Sequence, residues 1–167
     1  MLGRLNSIAH ARYLSYLIRH KAYVFRAGLA LGVSWWRLIK HDWSKFLPCE
    51  WFPYADWFYG PLHLESYDAG ACEAAFDVAW NHHQKANDHH WQYWLLHRDD
   101  GTLQPLPMPF AVVLEMVADW IGAGAALGAH DTNGWYQANY HNLQLHPQTR
   151  EMVEDVLAVA QVKGIIS

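Results

Sequence analysis

Apolar residues recur at steps of three and four along most of the chain, and the breaks between runs fall at Gly, Pro and polar clusters, which predicts helices joined by loops. The first run carries no proline from Ser7 to Leu31, places Leu14, Leu17, Ile18, Ala22 and Phe25 at helical spacings, and ends near Gly32. A second, shorter helix is expected with Ser34 as its cap, running through Trp35, Trp36, Leu38 and Ile39 to Asp42 and beyond until Pro48 stops it. The aromatic segment from Glu50 to Tyr59, punctuated by Pro53, Gly60 and Pro61, predicts a short helix followed by an ordered loop. The clearest period is that of Phe76, Trp80, His83, Asn87, His90 and Trp94, which predicts a long helix from about Gly70 to Leu96. A polar loop around Arg98 to Thr102 and three prolines then lead into a helix from Phe110 to about Leu127, with Pro109 suited to its first turn. Small residues from Gly122 to Ala126 permit close packing there. A short helix near Trp135 to His141 and a final one from Pro147 to Val162 complete the pattern, with no repeat and no strand-like run. The expectation is an all-α fold, one compact helical bundle of about five to seven helices over residues 1–167.

Composition supports a packed core: 52% of the residues are hydrophobic and 15% aromatic, far from the profile of a disordered chain. Cys49 and Cys72 are too few and too far apart for a disulfide framework or a thiolate metal knuckle, so a reducing cytoplasm is expected. The start of the chain has no apolar signal core, and the apolar stretch Ala22 to Trp36 is interrupted by Arg26 and too short to span a bilayer, so no membrane insertion is expected. Charge is unevenly spread. The first 45 residues carry eight basic side chains against one acid, Asp42, a net +7 that leaves −11 for the remainder of a chain whose total is −4. That balance argues against an extended nucleic-acid surface and permits a local basic patch for a small anionic ligand; it leaves self-association into a homo-oligomer open.

Twelve histidines, several inside apolar helical stretches, change the picture most, because a buried imidazole must find a partner or cost stability. His41 and Asp42 are adjacent within His-Asp-Trp-Ser-Lys and can ligate one cation through nitrogen and oxygen. On the long helix, residues seven apart differ by about 20° in direction, so His83 aligns with His90 and His82 with His89. The first row shares its stripe with Phe76, Trp80 and Trp94, which favours His83 and His90 as inward ligands with Asn87 as a hydrogen bonder between them. His89 is the reserve ligand, and His82 is expected in solvent. Glu115 and Asp119 lie four apart on one apolar helix face, where a metal ion or an arginine such as Arg19 or Arg37 would offset their burial. His20 shares its face with Leu17 and Val24, and Glu50 lies beyond the pair as a base or a cap. His10, His63, His97, His130, His141 and His146 fall near termini or loops and are expected at the surface. Trp43, Trp51, Trp57 and Trp91 are near enough in sequence to stack on a base.

In chain order, His20, His41-Asp42, His82-His83, His89-His90 and Asp119 resemble the HD-domain superfamily of metal-dependent phosphohydrolases, in which such residues converge from separate helices of an all-α bundle. His83, the double His89-His90 and the His-Asp-x-Ser-Lys form at 41 to 45 are similar to its dinuclear cyclic-dinucleotide phosphodiesterases, whose Gly-Tyr-Pro signature this chain lacks. His-Lys-x-Tyr-Val at 20 to 24, HDWSKF at 41 to 46, NHHQKANDHHWQYW and Glu-Met-Val-Ala-Asp-Trp at 115 to 120 are together similar to a small uncharacterised bacterial and phage family, which implies no activity.

The resemblance implies metal ligation by His20, His41, Asp42, His83, His90 or His89, and Asp119 as the distal ligand. It also implies Glu115 as ligand or base and Lys45 facing substrate phosphate, an anion that Arg19 and Lys21 could help to hold. A mixed nitrogen and oxygen set suits one or two ions of Mn, Fe, Co, Ni or Zn rather than Mg or Ca. The expected activity is hydrolysis of a nucleotide or another small phosphoester by metal-activated water. The same ligand set also resembles HD-type diiron oxygenases, and a non-catalytic, metal-stabilised binding module is the third expectation.

Overall fold

A computed structural model describes residues 2–60 and 68–166, with side chains from residue 7 onward. The first helix, α1 (Leu2–Leu31), buries one face at alternating steps of three and four: Ala9, Tyr13, Leu17, His20, Val24, Ala27 and Leu31. Leu14 and Ile18, which recur at helical spacing with Leu17, are exposed, because this helix has apolar residues on both sides and only its partners decide which side is covered. Tyr13 and Leu17 pack with Tyr54 and Ala55 of α3 (Pro48–Tyr59) and Ala79 of α4 (Ala69–Ala86). Val24, Ala27 and Leu31 join a second, larger core with Leu38 of α2 (Trp35–Lys40), Val113 and Val117 of α5 (Phe110–Ala126), Tyr136 of α6 (Thr132–Asn139), and Val153 and Leu157 of α7 (Pro147–Val162). His20 sits between Leu17 and Val24, at the seam of the two cores.

The close crossing of α5 on α1 depends on Gly122. A Cβ there would lie 2.4 Å from Val24 Cγ2 and 2.7 Å from Val24 N, so no side chain fits and the backbones meet. That approach carries Asp119, one turn earlier on α5, up against His20.

The fold is helical as expected, and four local differences matter. The second helix stops at Lys40 rather than running past Asp42; Ser34 occupies its N-cap without a side-chain bond, and a 3-10 turn, Trp43–Phe46, follows. The long helix stops at Ala86 rather than Leu96. Asn87 sends both its backbone N–H and its side-chain amide to the His83 carbonyl, a local bond that ends the helix, and a 3-10 turn at Trp91–Trp94 follows. Leu95–His97 and Leu103–Pro105, β1 and β2, then form a small antiparallel hairpin where no strand was expected. The helix expected from Trp135 begins at Thr132, where Asp131 accepts from Gly134 N at 2.7 Å.

The loop expected after Tyr59, with Pro61, and His63 lie outside the described residues. Among the described residues no helix is long and apolar enough to cross a membrane.

Candidate metal centre

Four segments bring imidazoles and carboxylates to the seam between the cores: α1, the α2 exit, the α4 end with its following turn, and α5. At the α2 exit Asp42 takes the left-handed conformation, φ 58° and ψ 23°, the one non-glycine residue of positive φ among those described. Asp tolerates that region better than most side chains, and the turn aims its carboxylate at the seam while His41 arrives from the other side. The pair therefore converges through a strained turn, not through one helical turn.

Asp42 divides the centre in two. Its Oδ2 lies 3.0 Å from His20 Nε2 and 3.5 Å from His41 Nε2. These two nitrogens lie 3.2 and 3.3 Å from Asp119 Oδ1. Its Oδ1 lies 3.3 Å from His83 Nε2 and 3.4 Å from His89 Nε2, and His90 completes this second group. Ligand bonds of about 2.0–2.2 Å put neighbouring ligand atoms roughly 3–3.5 Å apart, the spacing seen here. Within each group the ligand atoms all lie within 4.8 Å of one another. A buried His, Asp and Glu cluster able to hold metal ions is thus a feature of the fold.

The inward atoms are poorly served by the protein alone. His41 Nε2, His83 Nε2, His89 Nε2, His90 Nε2, Asp42 Oδ1 and Asp119 Oδ1 are buried without a hydrogen-bond partner among the described residues. An unpaired buried polar atom costs about 1–3 kcal/mol, so six in one place form a set that a cation resolves.

A carboxylate stands behind each group. Glu115 Oε1 lies 3.1 Å from His41 Nδ1 and 3.5 Å from His89 Nδ1, and its Oε2 accepts from Arg37 Nε at 2.6 Å. Arg37 also donates to Asp88 Oδ1 at 2.6 Å. Glu50 Oε2 lies 2.9 Å from His83 Nδ1 and accepts from Ser44 Oγ at 3.0 Å, while its Oε1 lies 2.6 Å from His82 Nδ1. Asn87 Nδ2 donates to Ser44 Oγ at 2.8 Å. A carboxylate on Nδ1 fixes the tautomer that leaves Nε2 free to ligate. Glu115 with His41 and His89 also forms a compact third group, but through the outward nitrogens.

Electrostatics differ between the groups. Burial opposes a charged His41, yet the carboxylates of Asp42, Asp119 and Glu115 around it raise its pKa to about 10. Burial and the His41 charge lower His89, and burial with His89 holds His90 well below the usual histidine range. Burial also opposes His83, but the Asp42 carboxylate beside its Nε2 and its bond to Glu50 raise it. Asp42 and Asp119 stay well below the usual carboxylate range despite burial, Asp42 chiefly through the charges of His41 and Lys45, Asp119 through the imidazoles of His20 and His41 against its Oδ1.

Lys45 Nζ donates to Asp42 Oδ2 at 2.6 Å, and burial, which opposes its charge, is outweighed by Asp42 and Asp119. It lines a cavity of about 470 Å³ that reaches His20, His90 and Asp119.

A family model matches residues 9–159. The chain belongs to DUF5662, a family of unknown function. No curated protein and no solved structure matches it. In this DUF5662 chain the structure brings together His20, His41, Asp42, His83, His89, His90 and Asp119. His89 and His90 both arrive, because they follow the helix on a turn; the seven-residue alignment that set His90 above His89 does not operate there.

Glu50 and Glu115 lie against the Nδ1 atoms of imidazoles, and Arg37 is the arginine that offsets Glu115. Arg19 is exposed on α1, and Lys21 donates to the carbonyls of His41 and Ile39; neither lines the cavity. His82 is exposed, as expected, and its Nδ1 lies against Glu50. Ser44 has no role of its own in the His-Asp-x-Ser-Lys pattern, and in the structure it links Asn87 to Glu50. None of Trp43, Trp51, Trp57 and Trp91 lines the cavity.

Proposed function

We propose that this chain is a metal-dependent phosphohydrolase of HD-domain type acting on a nucleotide or another small phosphoester. The observation that carries the reading is the division of Asp42: one oxygen faces each imidazole group, the arrangement that lets one carboxylate serve two ions. A divalent ion supplies Lewis acidity, lowering the pKa of water toward neutrality and offsetting phosphoryl charge.

The chain's own residues do the rest. Glu115 and Glu50 accept from Nδ1–H of His41 and His83 and hold each Nε2 inward. Lys45 uses one of three N–H donors on Asp42 and has two left for a phosphoryl oxygen at the cavity floor. Hydrolysis breaks the ester P–O bond, forms a P–O bond to the water oxygen, and leaves the departing oxygen as a hydroxyl.

The cavity over His20, His90 and Asp119 favours an open coordination sphere over a closed structural one. The nitrogen-rich second group, His83, His89 and His90, also fits a diiron oxygenase. Mn-loaded protein should hydrolyse at least one member of a nucleotide and phosphomonoester panel under argon, with loss of more than about 100-fold in His41→Ala. Inertness on the whole panel overturns the hydrolase reading, and oxygen uptake by an iron-loaded form would replace it.

A further inference from the structure

The cavity that reaches the centre has a floor and walls of different chemistry. Its floor holds His20, His90, Asp119 and Lys45; its walls include Tyr13, Tyr16, Tyr54, Phe58, Phe76 and Trp80. Lys45 is the only lysine or arginine lining it among the described residues, and Asp42 already takes part of its charge. Beyond the centre and Lys45 the lining offers no second cation for further phosphates of a di- or triphosphate, whereas a single phosphoryl group needs none.

The rings above are not spent on packing alone. Tyr54 stands edge-on to Phe76 at 5.1 Å between centroids, Phe58 is edge-on to Phe76 at 5.4 Å, and Lys45 Nζ lies 5.9 Å from the Tyr54 ring. Phe58 remains 56% exposed at the wall, so a ligand ring can cover it. The hydroxyls of Tyr13 and Tyr54 are buried without a hydrogen-bond partner among the described residues, although both residues line the cavity. Buried tyrosine hydroxyls normally find a partner, and polar edge atoms on an incoming ring would supply one.

We propose that the cavity selects a phosphate monoester whose organic part is a flat aromatic ring, its single phosphoryl group on the floor and its ring against the tyrosine and phenylalanine wall. This rests on the hydrolase reading for what happens to the ester, but not for what binds. A volume of about 470 Å³ lies in the lower half of the usual small-molecule range and suits one ring with one phosphate.

The test is binding to the full-length Mn-loaded protein by calorimetry, with two non-hydrolysable probes, phenylphosphonate and methylphosphonate. Burying a phenyl ring should make the first bind about 10-fold or more tightly, and in Phe58→Ala the ratio should fall toward one. Adenosine 5′-monophosphate should compete better than the triphosphate. Equal affinity for the two phosphonates, or tighter binding of the triphosphate, overturns the inference even if phosphoesters are hydrolysed. A ring preference in a protein that hydrolyses nothing supports the ligand class and removes the hydrolase reading.

Discussion

The two ligand groups share Asp42 and little else in how they are built. The group of His20, His41 and Asp119 hangs mainly on helix packing: α5 meets α1 at Gly122, and the α2 exit delivers His41 with Glu115 and Arg37 behind it. The group of His83, His89 and His90 hangs on a helix end. Asn87 stops α4, and the turn after it returns two imidazoles toward a third, with Glu50 and Ser44 behind. They differ in charge too, since His41 is raised to about 10 while His89 and His90 are lowered. The first group is thus a packed site that must give up a proton, and the second holds two imidazoles already neutral.

The change with the largest expected effect removes what the groups share. Asp42→Asn keeps a side chain tolerant of the left-handed backbone, so the fold should persist while bound metal falls from about two equivalents per chain to near none by elemental analysis. Separating the groups comes next: Asp119→Asn and His83→Ala should each leave about one equivalent, and loss of both ions from either variant would mean that the groups form one unit. Behind the ligands, Glu115→Gln and Glu50→Gln should weaken binding by about 10- to 100-fold, the first at the His41 side and the second at the His83 side, read by competition with a chelator of known affinity.

pH sharpens the contrast further. His41 is charged at neutral pH in the metal-free protein, so an ion must displace its proton, and affinity at that group should climb as pH rises from about 6 to 9. Its contribution to metal-free stability has the opposite trend: fully present below the unfolded histidine value, about 6.5, and lost as pH rises through about 10. Parallel affinity curves for Asp119→Asn and His83→Ala would remove the distinction. The smallest effect is on packing. Gly122→Ala should destabilise the protein by about 1–3 kcal/mol in denaturant titration and weaken the His20 and Asp119 group more than the other.

Much of this was legible along the chain. The 3.6-residue period pointed to the seven α-helices seen among the described residues, and the final one from Pro147 to Val162 lies where the pattern put it. Buried histidines among apolar neighbours, and two carboxylates four apart on the most apolar helix, marked a centre without showing its shape. The legible signals were those with a local physical cause. Misreadings fell where a local bond overrode periodicity: Phe76, Trp80, His83 and Asn87 share a helical step with His90 and Trp94, but Asn87 and Asp88 favour a stop, and their preference for side-chain to backbone bonding was the available clue. Basic residues were the least legible, since Arg19 and Lys21 are neighbours of His20 in sequence and point elsewhere in space.

The sequence by itself determined the helices, the crowd of imidazoles and the acidic pair on α5, because each follows from spacing along one segment and from the cost of burying polar groups. Only the tertiary structure decided that His89 joins His90, that Asp42 turns left-handed to present one oxygen to each side, and that Glu50 and Glu115 meet the Nδ1 atoms of His83 and His41. Those outcomes depend on distances between segments dozens of residues apart, which no period along the chain encodes.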